Sequence, residues 1–224
     1  MVALGGAVGF ANGAIIAGFR MMPFIVTLGM MGMVRGAAKW LAGNQTVNNP
    51  PATPVNNIMA RLNPTHLFPL PAGVWIAIAL AILMSVIMRQ TIFGRYIFAI
   101  GSNEATARLC GIRVQWQKVM IYSLAGFFFG LAGLMQLSRL TQGDPTVAVG
   151  LELDIIAAVV IGGASLSGGT GSILGSMIGA LIMAVLRNGS NQMGWQTFTQ
   201  EIIIGAVIIL AVGLDRLRQS RSQG

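Results

Sequence analysis

The sequence predicts an all-α, polytopic membrane protein, and three observations carry that prediction. Of 224 residues, 54% are hydrophobic and 9% are charged, where an ordinary soluble domain carries about 25% charged residues. The mean hydropathy is +0.74. The 14 Lys and Arg residues, which give a formal net charge of +8, fall mainly in short segments between long apolar runs. A nucleic-acid-binding chain would instead gather that charge on one soluble face with aromatics to stack bases, so membrane topology is the better reading.

A hydrocarbon layer about 30 Å thick needs about 20 mostly apolar residues per crossing helix, and about six stretches are candidates. Residues 2–19 form the first, rich in Gly5, Gly6, Gly9 and Gly13. No basic region precedes this stretch, so it reads as a span in which the sequence opens rather than as a signal peptide. The second stretch, 23–42, carries Arg35 and Lys39. Those side chains must snorkel to an interface or face protein. Residues 43–71 turn to Asn, Pro, Thr and Gln, a composition that blocks helices and predicts an aqueous loop. The third span, 72–88, is uncharged and opens near Trp75, an interfacial aromatic.

Residues 89–118 hold Arg89, Arg95, Arg108, Arg113 and Lys118 against the single acid Glu104, whereas Arg61 is the only charge in 43–71. The excess of positive charge puts 89–118 inside the cell and 43–71 outside. Within 89–118, residues 104–109 are good helix formers, with Ser102-Asn103 as a cap signal and Gly111 as a stop. A short helix at the inner surface is predicted there. The fourth span, 119–138, leads to a Gly143-Asp144-Pro145 turn.

Residues 155–166 and 173–186 are apolar pieces too short for confident separate spans, and Ser167-Gly168-Gly169-Thr170-Gly171-Ser172 interrupts them. Such an interruption reads either as a broken or re-entrant helix or as a tight hairpin. The last span, 202–214, ends in a basic tail, 215–224, expected inside the cell. Going from an inner loop to an inner tail requires an even number of crossings, so 155–186 must cross twice or re-enter. The whole reads as one transmembrane domain over 1–224. Glycines four apart at 32/36, 126/130, 171/175 and 175/179 predict close helix packing, and the methionines around 21–33 read as packing filler.

Catalytic chemistry is poorly supplied. The run from Gly162 to Gly171 contains glycines but no Gly-Lys-Ser/Thr, and no lysine follows Lys118, so the chain has no phosphate-binding loop of that type. Cys110 and His66 are single, which excludes a disulfide or a structural zinc site, and the six acids are scattered. The chain is expected to be no enzyme and to bind no metal or cofactor. Glu152 and Asp154 begin an apolar helix, where carboxylates favour the positive end of the dipole. With Gly162, Gly163, Ser167, Gly168 and Gly169 they are the candidates for a translocation path or a broken helix.

Taken together, Arg20-Met-Met-Pro-Phe-Ile-Val-Thr-Leu-Gly29, Gly94-Arg-Tyr-Ile97, Gly101-Ser-Asn-Glu-Ala105, Leu137-Ser-Arg-Leu140, Gly150-Leu-Glu-Leu-Asp154, Ala157-Ala-Val-Val-Ile-Gly-Gly163 and Ser167-Gly-Gly169 are specific. On these segments the chain resembles the permease subunit of bacterial ABC importers for ribose and related monosaccharides. The resemblance implies that Asn103, Glu104, Ala105, Thr106, Ala107, Arg108 and Gly111 form the coupling helix that seats in a cleft of a separate ATPase subunit, where ATP and Mg are bound. Cys110 stands where the wider importer signature has glycine, and Gly111 follows, an offset that the sugar-permease branch shares.

The resemblance further implies a multi-pass protein of the bacterial inner membrane with a cytoplasmic C-terminus. Its partners would be the ATPase, a periplasmic sugar-binding protein, a second permease subunit and membrane lipid, with no nucleic acid. Asn188, Asn191, Gln192, Trp195 and Gln196 are side chains of the kind that contact sugars, although beside a loop they read as solvated. Family members are longer, and the missing part corresponds to N-terminal spans. A branched-chain amino-acid permease and a truncated, non-transporting remnant are the alternatives.

Overall fold

The computed structural model describes residues 1–48, 72–140 and 142–222. The expected outer loop therefore lies largely outside the described residues, as does the extreme end of the expected inner tail. The helices are α1 (Val2–Phe19), α2 (Pro23–Leu41), α3 (Ala72–Gln90), α4 (Ile92–Ser102), α5 (Glu104–Leu109), α6 (Val114–Leu140), α7 (Leu151–Ile161), α8 (Ile173–Gln192) and α9 (Thr197–Ser222). Two two-residue strands, β1 (Val47–Asn48) and β2 (Gln142–Gly143), pair antiparallel. That pairing has no signal in the sequence, because backbone hydrogen bonds between short polar segments need no hydrophobic alternation.

Local chemistry explains most of the boundaries. Pro23 opens α2, where its missing N–H costs nothing. Thr91 caps α4 by accepting the Gly94 N–H at 3.3 Å, and Ser172 caps α8 by accepting the Gly175 N–H at 3.0 Å. α7 stops at Ile161, earlier than the apolar run ending at Leu166 suggests, because Gly162 is its C-cap and Gly163 follows at φ 85°. α6 is longer at both ends than the predicted 119–138 span, and the predicted 202–214 span lies inside the longer α9. Polar helix-compatible residues such as Gln115 and Gln117 extend a helix beyond its apolar stretch.

Among the described residues four helices, α1, α3, α6 and α8, are long and apolar enough to cross a membrane. α2 falls outside that set, carrying Arg35 and Lys39, and α9 contributes the shorter apolar segment Phe198–Leu210. At 1.5 Å per residue, 20-residue α8 measures about 30 Å and 11-residue α7 about 16 Å, roughly half a hydrocarbon core. The chain is an all-α polytopic membrane protein, and large apolar side chains such as Phe24, Leu28, Leu181 and Val185 are exposed along its helices.

The chain divides into two units, Met1–Leu80 with Gly111–Val147, and Ala81–Cys110 with Ala148–Gly224. In the first, α1 and α6 run antiparallel in backbone contact. A β-carbon built on Gly9 falls 2.9 Å from the Gly126 Cα, and one on Gly5 falls 2.9 Å from the Gly130 Cα. Apolar burial offers little drive between helices in lipid, so this contact depends on close van der Waals packing that only glycine allows. Gly32 and Gly36, with the same spacing, face open space.

In the second unit, α7 and α8 run antiparallel. Gly162 packs on Gly175, and Ala158 on Gly179. Ala157, Ala158, Met183 and Ile204 form a small buried cluster joining α7, α8 and α9, with Ile161, Leu186 and Ile208 around it.

Candidate functional site

The candidate site lies in the second unit and has two ends. At one end is the short helix α5. Asn103 caps it, its Oδ1 accepting the Thr106 N–H at 3.0 Å, and Gly111 ends the segment at φ 82°. Glu104 and Arg108, one turn apart, pair at 2.9 Å. Ala107 is buried, whereas Ala105, Thr106, Arg108 and Leu109 are exposed. Leu109 is 88% exposed beside the exposed Cys110, an apolar tip on an otherwise polar loop. Glu104, the remaining residue of this six-residue helix, is half-buried.

Against the helix that precedes α5 lies the turn between α7 and α8. A β-carbon built on Gly101 would fall 2.6 Å from the Gly169 nitrogen, one on Gly168 2.6 Å from the Gly101 oxygen, and one on Gly169 2.9 Å from the Ser102 Cα. Residues 101–102 and 168–169 therefore touch backbone to backbone. The turn itself is folded tightly: the Ser165 N–H donates to the Thr170 oxygen, the Gly168 N–H to the Ser165 oxygen, and the Ser167 N–H to the Ser165 Oγ, each at 3.1 Å. Gly168 and Gly169 have φ of 88° and 79°, left-handed values that side-chain-bearing residues rarely adopt. Beside this contact is a pocket of about 380 Å³ walled by Met88, Ile97, Phe98 and the 168–173 backbone, with Arg89 as its charged lining residue.

At the other end of α7 and α8 are the two candidate acids. Glu152 Oε2 accepts the N–H of Gly150, itself at φ 87°, which makes it part of the helix entrance. Asp154 instead reaches across to α8, where its Oδ2 meets Arg187 Nη2 at 3.1 Å. One helical turn further along α8, Asn191 Oδ1 accepts from the buried Gln200 of α9 at 2.7 Å, and Gln200 also donates to the Trp195 oxygen at 3.1 Å. The structure thus brings Gly168 and Gly169 to the α4–α5 junction, leaves Gly162 in the α7–α8 crossing, and separates Glu152 from Asp154 in role.

Gly101, Arg187 and Gln200 are absent from the sequence-based candidates. Arg187 had a signal, being the lone charge in 173–192; the apolar run was read as ending one residue before it. Gly101 stood in a segment that carries the resemblance, but nothing marked its contact with the distant Gly168-Gly169, and Gln200 had no signal because its partner Asn191 lies on the neighbouring helix.

Residues 1–212 match the family model described as the branched-chain amino acid transport system / permease component. The ribose import permease protein RbsC of Escherichia coli is 40% identical over 218 residues, covering 97% of this chain and 68% of that protein. RbsC of Bacillus subtilis is 43% identical over 213 residues, 93% of this chain and 64% of its own. The L-arabinose ABC transporter permease protein AraH of Azospirillum brasilense is 35% identical over 228 residues, 98% of this chain and 63% of its own. The chain thus spans about two thirds of the length of these relatives. No solved structure matches it. With a match along nearly its whole length and an all-α architecture of membrane-crossing helices, the chain belongs to the branched-chain amino acid transport system permease-component family.

Proposed function

We propose that this chain is the membrane-spanning subunit of an ATP-driven importer that moves a monosaccharide of the ribose or arabinose type inward across the bacterial inner membrane. The observation that carries the reading is the backbone contact between Gly101-Ser102 and Gly168-Gly169. It joins the exposed α5 loop to the α7–α8 hairpin, so a displacement of the loop moves the hairpin with little slack. Packed backbone transmits displacement because it cannot be compressed.

In this reading the 89–118 segment and the C-terminus face the cytoplasm, in keeping with the distribution of Lys and Arg. Asn103, Glu104, Ala105, Thr106, Ala107, Arg108 and Gly111 engage a separate ATPase subunit, which holds ATP and Mg. A periplasmic binding protein delivers the sugar, and a second permease copy completes the path in the surrounding lipid. ATP binding and hydrolysis shift the pair between outward- and inward-open states by favouring one of them in free energy. The chain's own part is mechanical and conductive, with the hydrolytic step on its partner.

The test is co-purification of the ATPase subunit from membranes, combined with sugar uptake. Glu104→Arg, or deletion of residues 104–111, is expected to abolish both while leaving membrane insertion intact. Normal ATPase association in the deletion variant would overturn the docking assignment. Uptake of leucine with no uptake of ribose or arabinose would overturn the substrate class.

A further inference from the structure

We propose that the cavity beside the α7–α8 turn binds the phosphodiester headgroup of an anionic phospholipid of the phosphatidylglycerol type. α3 is apolar from Ile76 to Met84. Ser85 and Arg89 follow, four residues apart and so on one face of the helix, and both line the cavity of about 380 Å³. At 1.5 Å per residue Arg89 lies about 26 Å along α3, at the headgroup level of a hydrocarbon core about 30 Å thick, and Ser85 about 6 Å deeper. Ser172 at the start of α8 brings a third polar group to the cavity. Its Oγ accepts the Gly175 N–H at 3.0 Å, which leaves its own O–H to donate. Arg89 and Ser172 are both exposed, so the cavity is open to an entering group.

The chemistry of the walls selects the occupant. Among the described residues neither Arg89 nor Ser85 has a hydrogen-bond or ion-pair partner, and no acid lines the cavity. Arginine presents parallel N–H donors that match phosphate oxygens, and the serine hydroxyls suit the hydroxyls of a glycerol headgroup. The ammonium of a zwitterionic headgroup would find no carboxylate there. Basic pockets between membrane helices near the surface take anionic headgroups for these reasons. The cavity lies within the range of about 300–1,000 Å³ usual for small-ligand sites, room for the headgroup but not for its acyl chains. Ile82 and Val86, exposed on α3 and each three residues before Ser85 and Arg89, give those chains an apolar surface. A free phosphate shares the headgroup's charge but uses none of that surface. The site requires only that the chain spans a membrane, so it stands apart from the sugar-importer reading.

The experiment uses the permease at the length of its relatives, in nanodiscs of phosphatidylcholine with a minor fraction of phosphatidylglycerol. Native mass spectrometry of the released protein counts the lipids that each chain retains. The wild type is expected to keep one phosphatidylglycerol in preference to phosphatidylcholine. Arg89→Ala is expected to weaken that retention by about tenfold, the scale of one hydrogen bond to a charged group. Ser85→Phe fills the cavity while leaving Arg89 in place, and is expected to give the same loss, with a thermal midpoint in phosphatidylcholine alone that reports its folding. If Arg89 merely snorkels among bulk headgroups, a folded Ser85→Phe retains lipid as the wild type does, and the site is overturned; wild-type retention in Arg89→Ala overturns it independently of Ser85→Phe. Equal retention of the two lipids, or a second copy of the chain in place of lipid, would also overturn it. Loss of the retained lipid on adding inorganic phosphate would reassign the cavity to a soluble anion.

Discussion

Gly101→Ala tests the link between the α5 loop and the α7–α8 hairpin most directly. The new methyl group would fall 2.6 Å from the Gly169 nitrogen, and contacts under 3.4 Å are already tight, so the turn or α4 must move by about 0.8 Å, the difference of those two distances. Overpacking of that kind costs about 1–3 kcal/mol. Alanine's better helix propensity favours α4 equally whether or not the contact is made, so the penalty on the contacted state stays at about 1–3 kcal/mol. At the upper end that is roughly a hundredfold or somewhat more in the balance between contacted and separated states. Gly189→Ala is the control, being in α8 with nothing within 4 Å of its β-carbon. The assay compares uptake with ATP hydrolysis in the reconstituted importer. Gly101→Ala and the bulkier Gly101→Val are expected to uncouple the two progressively while Gly189→Ala behaves as wild type. Tight, wild-type coupling in Gly101→Val would refute the argument that this backbone contact carries motion.

Other perturbations follow from the same geometry. Gly9→Leu is expected to separate α1 from α6 and lower the thermal midpoint of the purified protein, whereas Gly29→Leu, with nothing within 4 Å, leaves it nearly unchanged. Asn12 Oδ1 of α1 is buried without a partner among the described residues, so Asn12→Leu removes a desolvation cost of about 1–3 kcal/mol and should raise that midpoint; a fall would show that the group has an acceptor's role. Thr146 donates its hydroxyl at 2.6 Å and its N–H at 2.7 Å to Asp144 Oδ1, and these bonds, the hydroxyl foremost, hold the carboxyl below its ordinary value. A depressed folded value stabilises the turn above the unfolded carboxylate value of about 3.9 and loses that stabilisation as pH falls through the folded value. Thr146→Val is expected to raise the Asp144 carboxyl toward the ordinary value, read by NMR titration.

The sequence by itself determined the class and much of the local structure of this protein. Long apolar runs with few charges can be satisfied in lipid only by helices, so the all-α class and the approximate spans were legible without any contact being known. Asn103 as a cap and the 104–109 helix were equally legible, because capping is a contact within one turn. The sequence also placed an interruption at 167–172, since Gly168 and Gly169 at positive φ are local events, although the helix before it stops earlier, at Ile161. Tertiary structure alone decided what those local features meet. Glycines four apart look alike at 32/36 and 126/130, yet only the latter touch another backbone. Whether such a surface is used depends on a second helix from elsewhere in the chain. For the same reason the pairing of Asp154 with Arg187 and the seating of Gly168-Gly169 on Gly101-Ser102 had no signature of their own. An ion pair or a close approach between distant segments is fixed by the path of the backbone, and periodicity within either segment carries no record of it.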